Sequence, residues 1–511
     1  MELELQKERF ECYRPGAALL LDREETAETI VPDYSPDIAR IVNVSACLLV
    51  RSRTVSDGKL TAAASVRLTL LYVAEDAPGL RSMEYAIPCE LSEKLPDGCA
   101  EAAVEGRVCG VEARLLNPRK LFTRMELTWR ITPYCRTVLT TCGTIPEQAA
   151  YAIETLCERR EASLIRAVSE KDFVFSDEIS LPGGREPIRE LLQPRVKLRV
   201  TEVKSIGSKA ILKGVACVSL LYASGDDKLC SYAEELPFSQ ILDGVSEELG
   251  ETTASAVLSL SDLEIHTGGD PDGDTVSLKL FLNALVVLRG RETVCCITDL
   301  YSSSYDLDAQ MERIELWQEP EVSSVTQSVR EQLDTGTEVK CVLSADVCFG
   351  SVGVQRENGR TLLRASAAAS VLYQDEADVP ICVERRIEIT AEAAAAPADA
   401  QLSVENVCAG DLAASINANG IELRFPAEFT LVSTAPVSCE CLTSLSVAEP
   451  SGEGEAAQMP SIILRALDEG ERLWDIAKQY RTTVESILSA NELADEAAAA
   501  AGRMLLIPRK R

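Results

Sequence analysis

Few side chains in this sequence could perform catalysis. The chain has a single histidine, His266, which precedes a Gly-Gly turn at 268–269. A Ser-His-Asp triad or a histidine-rich metal site would have to use this one imidazole, and both need partners at a fixed geometry. The sequence contains no Walker-type phosphate loop and no G-x-S-x-G motif. These residues predict a protein that is not an enzyme and that has no cofactor and no metal site.

Eighteen cysteines could form disulfides or bind metal. No C-x-x-C pair occurs, and the closest pairs, Cys295-Cys296 and Cys439-x-Cys441, do not have the spacing of a structural zinc site. Most cysteines lie in apolar, strand-like patterns, and residues 1–10 contain no apolar core for export. We expect reduced thiols inside the protein core, with cross-linking after a later oxidation as the alternative.

Residues 268–274 alternate aspartate with glycine and proline, a pattern superficially similar to a calcium-binding loop. Glycine is not at the sixth position, and Phe281 occupies the twelfth position, where a calcium loop requires glutamate. The pattern therefore favours a hairpin turn, and a weak cation site is the alternative.

The last fifty residues hold the pattern that best indicates a function. A short apolar run at 462–464 is followed by a turn at Gly470, two helical patterns and a second apolar run at 504–507. Trp474, Ile476, Ala477 and Tyr480 recur at helical spacing, Thr482 or Thr483 can cap the second helix, and Asn491 stands where that helix should end. The last fifty residues are therefore predicted to fold in the order strand–helix–helix–strand.

This segment resembles the LysM family, whose members bind the N-acetylglucosamine-containing glycan of cell walls. The resemblance places a candidate partner or ligand surface on the two loops of the module. Its residues are Gly470, Glu471, Arg472, Leu473, Trp474, Asn491, Leu493 and Gly502.

Both of these loops depart from the family pattern. The first reads Gly470-Glu471-Arg472 instead of Gly-Asp-Thr, and the second is a run of alanines at 498–501. A long cation suits an acidic protein groove better than a neutral sugar. We therefore expect a protein-binding surface at Ile462, Arg472, Leu473 and Trp474, although a solvated Arg472 and a core Trp474 are the plainer interpretations.

The first 450 residues contain a threefold repeat. The segments 58–72, 208–222 and 359–373 are similar to one another, and each ends in a tyrosine. Apolar residues alternate with polar ones within the copies, and Asp57-Gly58 and Asn358-Gly359 suit tight hairpins. Each copy is long enough to form a domain. The pattern predicts a mainly β protein with tandem sandwich or barrel-like repeats and a small C-terminal βααβ module.

The acidic composition limits the classes of partner. The chain of 511 residues has a formal net charge of −30, whereas the C-terminal module balances its own charges. Such a surface repels nucleic acid and anionic lipid. No segment approaches the roughly 20 apolar residues that span a bilayer. We expect neither nucleic acid binding nor a membrane span.

Tandem β repeats before one C-terminal module of this type resemble the SPOCS-domain proteins of spore-forming Firmicutes, a domain formerly of unknown function. Residues 31–42 look like the motif that opens this domain. The resemblance implies a spore-coat morphogenetic protein of the mother-cell cytoplasm, located at the forespore surface. It also implies that the LysM module contacts the coat ATPase called stage IV sporulation protein A, or other coat proteins.

We therefore predict a non-enzymatic scaffold that tethers coat protein. A wall or cortex protein that binds peptidoglycan glycan is the alternative. The predicted domains are repeat 1 over 1–140, a helical linker over 141–170, repeat 2 over 171–305, a degenerate repeat 3 over 306–449, a flexible linker over 450–460 and the LysM module over 461–511.

Overall fold

The computed structural model describes residues 1–76, 79–206, 209–243, 252–268, 274–449, 461–499 and 501–509. Strands account for 76% of the structure and helices for 4%, which confirms the mainly β prediction. The predicted linker over 450–460 and most of the aspartate-rich loop at 268–274 lie outside the described residues.

The first repeat is built from antiparallel strands. In chain order they are β1 (Gln6–Pro15), β2 (Leu19–Ile30), β3 (Ile38–Ser56), β4 (Lys59–Ala74), β5 (Leu80–Lys94), β6 (Cys99–Asn117) and β7 (Lys120–Thr144). One sheet is the meander β3-β4-β5, and the other has the order β2-β7-β6. The inward faces of the two sheets form a shared core, so the repeat is a β-sandwich.

The other two repeats follow the same plan. The second contains β8 (Ile153–Ser180), β9 (Ile188–Ile206), β10 (Lys209–Ser224), β11 (Leu229–Asp243), β12 (Thr252–Thr267) and β13 (Thr275–Ser302). The third contains β14 (Asp306–Trp317), β15 (Glu321–Leu333), β16 (Val339–Glu357), β17 (Arg360–Asp375), β18 (Pro380–Ala393), β19 (Gln401–Ala409), β20 (Ala413–Asn417), β21 (Gly420–Thr434) and β22 (Pro436–Ala448). Their meanders are β9-β10-β11 and β16-β17-β18.

The three meanders are close copies of one another. Their strands have 19, 16 and 15 residues in the first two repeats and 19, 16 and 14 in the third. The predicted hairpins at Asp57-Gly58 and Asn358-Gly359 are confirmed, because both residues of each pair have positive φ and join strands that pair across two residues. The repeated tyrosines, Tyr72, Tyr222 and Tyr373, are buried in the three sandwich cores.

The three repeats close into a ring. Equivalent residues of the three central strands, Leu71, Leu221 and Leu372, pack in one cluster with Val42 and its counterparts from the other two meanders. Since this cluster takes equivalent positions from all three meanders, it marks a pseudo-threefold axis. The outer faces of the meanders meet at this cluster, whereas farther along β4, β10 and β17 the outer positions are mostly polar or charged, as at Lys59, Arg67 and Ser370.

Ion pairs join each repeat to both of the others. Arg67 contacts Asp262 at 2.7 Å between the first and second repeats, and Arg386 contacts Glu126 at 2.6 Å between the third and first. Between the second and third, Lys197 pairs with Asp346. Burial disfavours the ionised form of Asp346, but the Lys197 and Arg195 cations, with a hydrogen bond from the Val347 amide, together outweigh that effect and lower the pKa of this carboxyl to about 2.

A second apolar cluster lies where the long strands end, and we call this region the stem. β1 pairs with the end of β7, the first half of β8 pairs with the end of β13, and β14 pairs with β22. Their inward residues form one core that contains Cys142, Cys296, Cys439 and Cys441. The sulfurs of Cys296 and Cys439 are 3.4 Å apart, so these thiols fill the core as small apolar groups.

The predicted helix between the first two repeats is wrong. Its apolar residues were spaced at helical intervals between 146 and 168, but from Ile153 the chain forms β8. The pairing of β8 with β13 runs from Ser302 back to Thr275 and satisfies the backbone along nearly the whole strand. A helix in this segment would leave β13 without that partner. The hydrogen bonds between β8 and β13 therefore decide the conformation, although the apolar residues are spaced as in a helix.

The prediction of reduced thiols is wrong for one pair. Cys99 and Cys135 form a disulfide, and the other sixteen cysteines are free. β6 and β7 place Cys99 directly opposite Cys135, with their Cα atoms 3.7 Å apart. Register across a sheet, which single-strand patterns do not reveal, brings the two sulfurs together.

The close packing in the first sandwich can be tested at Gly106. A Cβ at this position would lie 2.6 Å from Cζ3 of Trp129, a buried side chain. We expect Gly106→Ala to lower the free energy of unfolding by about 1–3 kcal/mol through overpacking. Gly353→Ala is the matched control, because nothing lies within 4 Å of its added Cβ. Equal denaturation midpoints for the two variants would contradict the expectation.

Candidate partner-binding site in the C-terminal module

The C-terminal module has the predicted order of elements. It consists of β23 (Ile462–Ala466), α1 (Leu473–Tyr480), α2 (Val484–Ala490) and β24 (Met504–Pro508), and β23 pairs with β24. Thr483 caps α2, since its Oγ1 accepts a hydrogen bond from the Ser486 amide at 3.1 Å. Asn491 ends that helix, as predicted. Local signals were therefore sufficient to place these elements.

The module is docked against the stem through aromatic contacts. The rings of Tyr301, near the end of β13, and Trp474, in α1, meet edge to face with centroids 4.9 Å apart. The Tyr301 hydroxyl donates a hydrogen bond to the carbonyl oxygen of Thr482 at 2.8 Å. Tyr301 and Leu156 belong to the same apolar cluster as the core of the module. The helix–turn–helix face is thus joined to the body of the protein.

Charged groups fix the orientation of the docked module. One oxygen of Asp299 accepts a hydrogen bond from Nε1 of Trp474 at 2.8 Å, and the other accepts from Nζ of Lys478 at 2.5 Å. Arg481, just after α1, pairs with Asp306. Partial burial disfavours the Asp299 carboxylate, but the hydrogen bonds from Lys478 and Trp474 outweigh it and lower the pKa of this group.

The first predicted loop is occupied by internal ion pairs. Gly470 has a φ of +81°, which suits the turn. Glu471 contacts Arg465 at 2.7 Å, and Arg472 makes a two-point contact with Asp475 at 2.9 and 2.8 Å. Arg472 is exposed, so its guanidinium is accessible while it is held in place.

The remaining predicted residues are structural in this arrangement. Leu473 and Trp474 are buried, and Leu493 packs partly buried against the module core. The Asn491 side chain accepts from the Leu506 amide and donates to the Leu506 carbonyl, both at 2.7 Å. Gly502 has a φ of +82° in the turn before β24. Whether these positions also contact a ligand remains a prediction.

The sequence reasoning missed most of an exposed apolar surface on the module, and we call it the sheet face. It is the side of the β23–β24 ribbon that points away from the helices. Its residues are Ile462, Leu464, Ala466, Met504, Leu506 and Pro508. Ile462 was predicted at the surface, and the strict alternation of both strands was the signal that could have found the others.

A cavity of 2640 Å³ lies among the three repeats. Charges of both signs line it, and they pair with one another: Arg130 contacts Glu105 at 3.8 Å, and burial raises the pKa of Glu105 despite this cation. His266 is exposed. In the part of the chain that the structure describes, no group of three or more histidine, cysteine or acidic residues is placed to hold a metal ion.

Two family models match this chain. One, described as the LysM domain, matches residues 468–508, and the other, described as SipL, SPOCS domain, matches residues 187–266. The chain carries a SPOCS domain and a LysM domain. No curated protein and no solved structure matches the sequence. The SPOCS match covers the second repeat from just before β9 to β12, and the first and third repeats follow the same strand order.

The matched domains indicate a general role. A LysM domain suggests glycan binding, and a SipL-type SPOCS domain suggests a role related to sporulation. Both are of the binding or adaptor type, and no enzyme family is indicated. No helix among the described residues is long and apolar enough to cross a membrane.

The docking of the LysM domain can be tested at Asp299. We expect Asp299→Ala to weaken docking by about 1–2 kcal/mol, because Trp474 and Lys478 lose their shared acceptor. Hydrogen exchange in α1 should accelerate roughly tenfold, while the sandwich cores stay protected. Asp308→Ala, at an exposed position in β14, is the control. Unchanged exchange in α1 would show that Asp299 does not hold the domain.

Docking should also depend on pH. Because the pKa of Asp299 is lowered when the LysM domain is docked, its stabilising contribution is complete above the ordinary value of 3.8. That contribution is lost as the pH falls through the lowered pKa. Hydrogen exchange in α1, corrected for the intrinsic rate, should therefore report weaker docking at acid pH in the wild type and little further change in Asp299→Ala.

Proposed function

We propose that this protein is a non-enzymatic scaffold of spore-coat assembly. It would act in the mother-cell cytoplasm at the forespore surface and tether coat protein there. The observation that carries this proposal is the presence of a SPOCS domain and a LysM domain in one chain. The proposed partner of the LysM domain is the coat ATPase called stage IV sporulation protein A, or another coat protein.

The fixed position of the LysM domain supports a tethering role. Trp474 and Lys478 share the carboxylate of Asp299, and Arg481 pairs with Asp306. A partner bound to the domain is therefore held at a defined position relative to the ring of repeats. A domain that swung on its linker would lose more conformational freedom on binding, so this arrangement favours a tether.

The first loop of the LysM domain favours a protein ligand. Glu471 and Arg472 each hold a charged partner within the module. A neutral sugar would have to bind beside these charges without neutralising them, whereas an acidic protein groove can accept the exposed guanidinium in two hydrogen bonds. Arg472 is thus the residue through which we expect a protein partner to be recognised.

Binding of peptidoglycan glycan is the second candidate function. The LysM match suggests it directly, and it would place the protein in the wall or cortex. The two candidates differ in ligand chemistry, so one set of titrations separates them.

The proposed function can be tested by calorimetry on the full chain. We expect the coat ATPase to bind and N-acetylglucosamine oligomers to give no saturable heat. Arg472→Glu should weaken ATPase binding at least roughly tenfold, because it places a carboxylate beside Asp475 and reverses the charge offered to the partner. Arg360→Glu is the matched control, since Arg360 is an exposed arginine of the third repeat that also pairs with one carboxylate.

Two results would contradict the proposal. Saturable sugar binding without ATPase binding would move the protein to the wall or cortex. ATPase binding that Arg472→Glu and Arg360→Glu leave equally strong would place the contact elsewhere than on the first loop.

A further inference from the structure

Three sulfur atoms meet in the core of the stem. Cys296 lies in β13 of the second repeat, and Cys439 and Cys441 lie in β22 of the third. The sulfurs of Cys296 and Cys439 are 3.4 Å apart, and the Cys439 thiol donates to Cys296. The Cys296 thiol in turn forms a hydrogen bond to Cys441. Because the two cysteines of β22 are two positions apart, they lie on one face of the strand and share Cys296 as a partner.

The sulfurs of Cys296 and Cys439 are close to bonding distance. A disulfide has a sulfur–sulfur length of about 2.05 Å, so the two atoms would have to approach each other by roughly 1.4 Å. A change in the torsion of one side chain can supply a movement of this size. The reduced cluster therefore already has the arrangement from which a disulfide between two repeats can form.

Hydrogen bonds make Cys441 the most reactive of these thiols. The Cys142 amide donates to the Cys441 sulfur at 3.3 Å. The hydrogen bond from Cys296, together with this amide, outweighs the effect of burial and lowers the pKa of Cys441. Burial raises the pKa of the neighbouring Cys142 and Cys439. Since the thiolate is the nucleophile in thiol oxidation, we expect Cys441 to react first.

The arrangement of these thiols does not suit a metal ion. In the part of the chain that the structure describes, no three histidine, cysteine or acidic side chains are placed around one metal position. The thiol of Cys142, which belongs to the same core, donates to the carbonyl oxygen of Thr144 on its own strand at 3.7 Å. Oxidation is therefore the chemistry that the three remaining sulfurs offer.

An oxidant can reach the cluster when the stem opens locally. Cys296, Cys439 and Cys441 are all buried. β22, however, pairs with β14 in a sheet of two strands. A ribbon of two strands opens at a lower free energy than the interior of a large sheet. A molecule as small as hydrogen peroxide can then contact Cys441.

We propose that this three-thiol cluster is an oxidation site, in which Cys296 forms a disulfide with a cysteine of β22 and so joins the second repeat to the third. The Cys441 thiolate attacks one oxygen of hydrogen peroxide and becomes a sulfenic acid, while the O–O bond breaks and hydroxide leaves. The Cys296 sulfur then attacks the Cys441 sulfur. The S–O bond breaks, and the hydroxyl group leaves as water with the thiol proton of Cys296.

Cys439 can take over this bond by exchange. Its thiolate attacks the Cys296 sulfur, Cys441 leaves as a thiolate, and the number of disulfides stays the same. Either bond joins β13 to β22. Cys296 precedes Asp299 on β13 by three positions, so the bond also strengthens the strand end on which the LysM domain docks. The inference does not depend on the ligand of the LysM domain.

Disulfide mapping of the full chain after treatment with hydrogen peroxide tests the proposal. Free thiols are blocked with N-ethylmaleimide in denaturant before digestion with trypsin. The wild type should give a product that joins peptide 292–313, which contains Cys296, to peptide 425–465, which contains Cys439 and Cys441. Dithiothreitol should separate the two peptides.

Three variants assign the bond to its cysteines. Cys296→Ala should lower the yield of the product at least roughly tenfold, and alanine adds no polar group to this apolar core. Cys295→Ala is the matched control, because Cys295 lies in the same peptide on the opposite face of β13 and should leave the yield unchanged. Cys441→Ala should slow formation at least roughly tenfold, because the reactive thiolate is lost. Circular dichroism should show that all variants fold.

The bond should also stabilise the protein. Cys296 and Cys439 are 143 positions apart, so a link between them restricts a long segment of the unfolded chain. Oxidation should raise the Tm of the wild type and of Cys295→Ala by roughly 5 °C or more and leave the Tm of Cys296→Ala unchanged. The Cys99–Cys135 disulfide is common to all three proteins and does not affect the comparison.

Four outcomes would overturn the proposal. They are a wild type without the joined peptides, a product that persists in Cys296→Ala, a product that Cys295→Ala removes, and a product that joins peptide 425–465 to peptide 137–159, which contains Cys142. The first and the last are read on the wild type alone. The proposal can therefore fail even where a variant does not fold.

Discussion

The packing of three meander sheets around one axis is the constraint on which the rest of the structure depends. The central strands β4, β10 and β17 bury one face in their own sandwich, and Leu71, Leu221 and Leu372 of the other face pack together at the pseudo-threefold axis, so the three repeats share one apolar contact. Burial of apolar surface in this shared cluster favours the association of the three copies. The other sheets of the repeats contain the long strands β7, β8 and β13, whose ends meet in the stem.

The stem then determines where the LysM domain can sit. β13 carries Asp299 and Tyr301 out of the second repeat, and the domain docks on these two side chains. The arrangement converts a module that binds one ligand into a part of a larger body. It uses the helix side of the module for attachment and leaves Arg472 and the sheet face exposed.

Local patterns predicted some elements well and failed for others. Thr483 and Asn491 marked the ends of α2, and Asp57-Gly58 marked a hairpin, because caps and tight turns depend on a few neighbouring residues. The helix expected before residue 168 was wrong, since the ladder between β8 and β13 joins residues more than a hundred positions apart. The Cys99–Cys135 disulfide was missed because neither strand pattern reveals the register between β6 and β7.

The sequence by itself determined the repeat, the β character, the order of elements in the C-terminal module and the absence of catalytic motifs. These properties follow from composition and short-range periodicity. Only the tertiary structure decided that Trp474 binds Asp299 and that the three repeats form a ring. Those features depend on contacts between distant segments, and a chain acquires them only when its sheets pack.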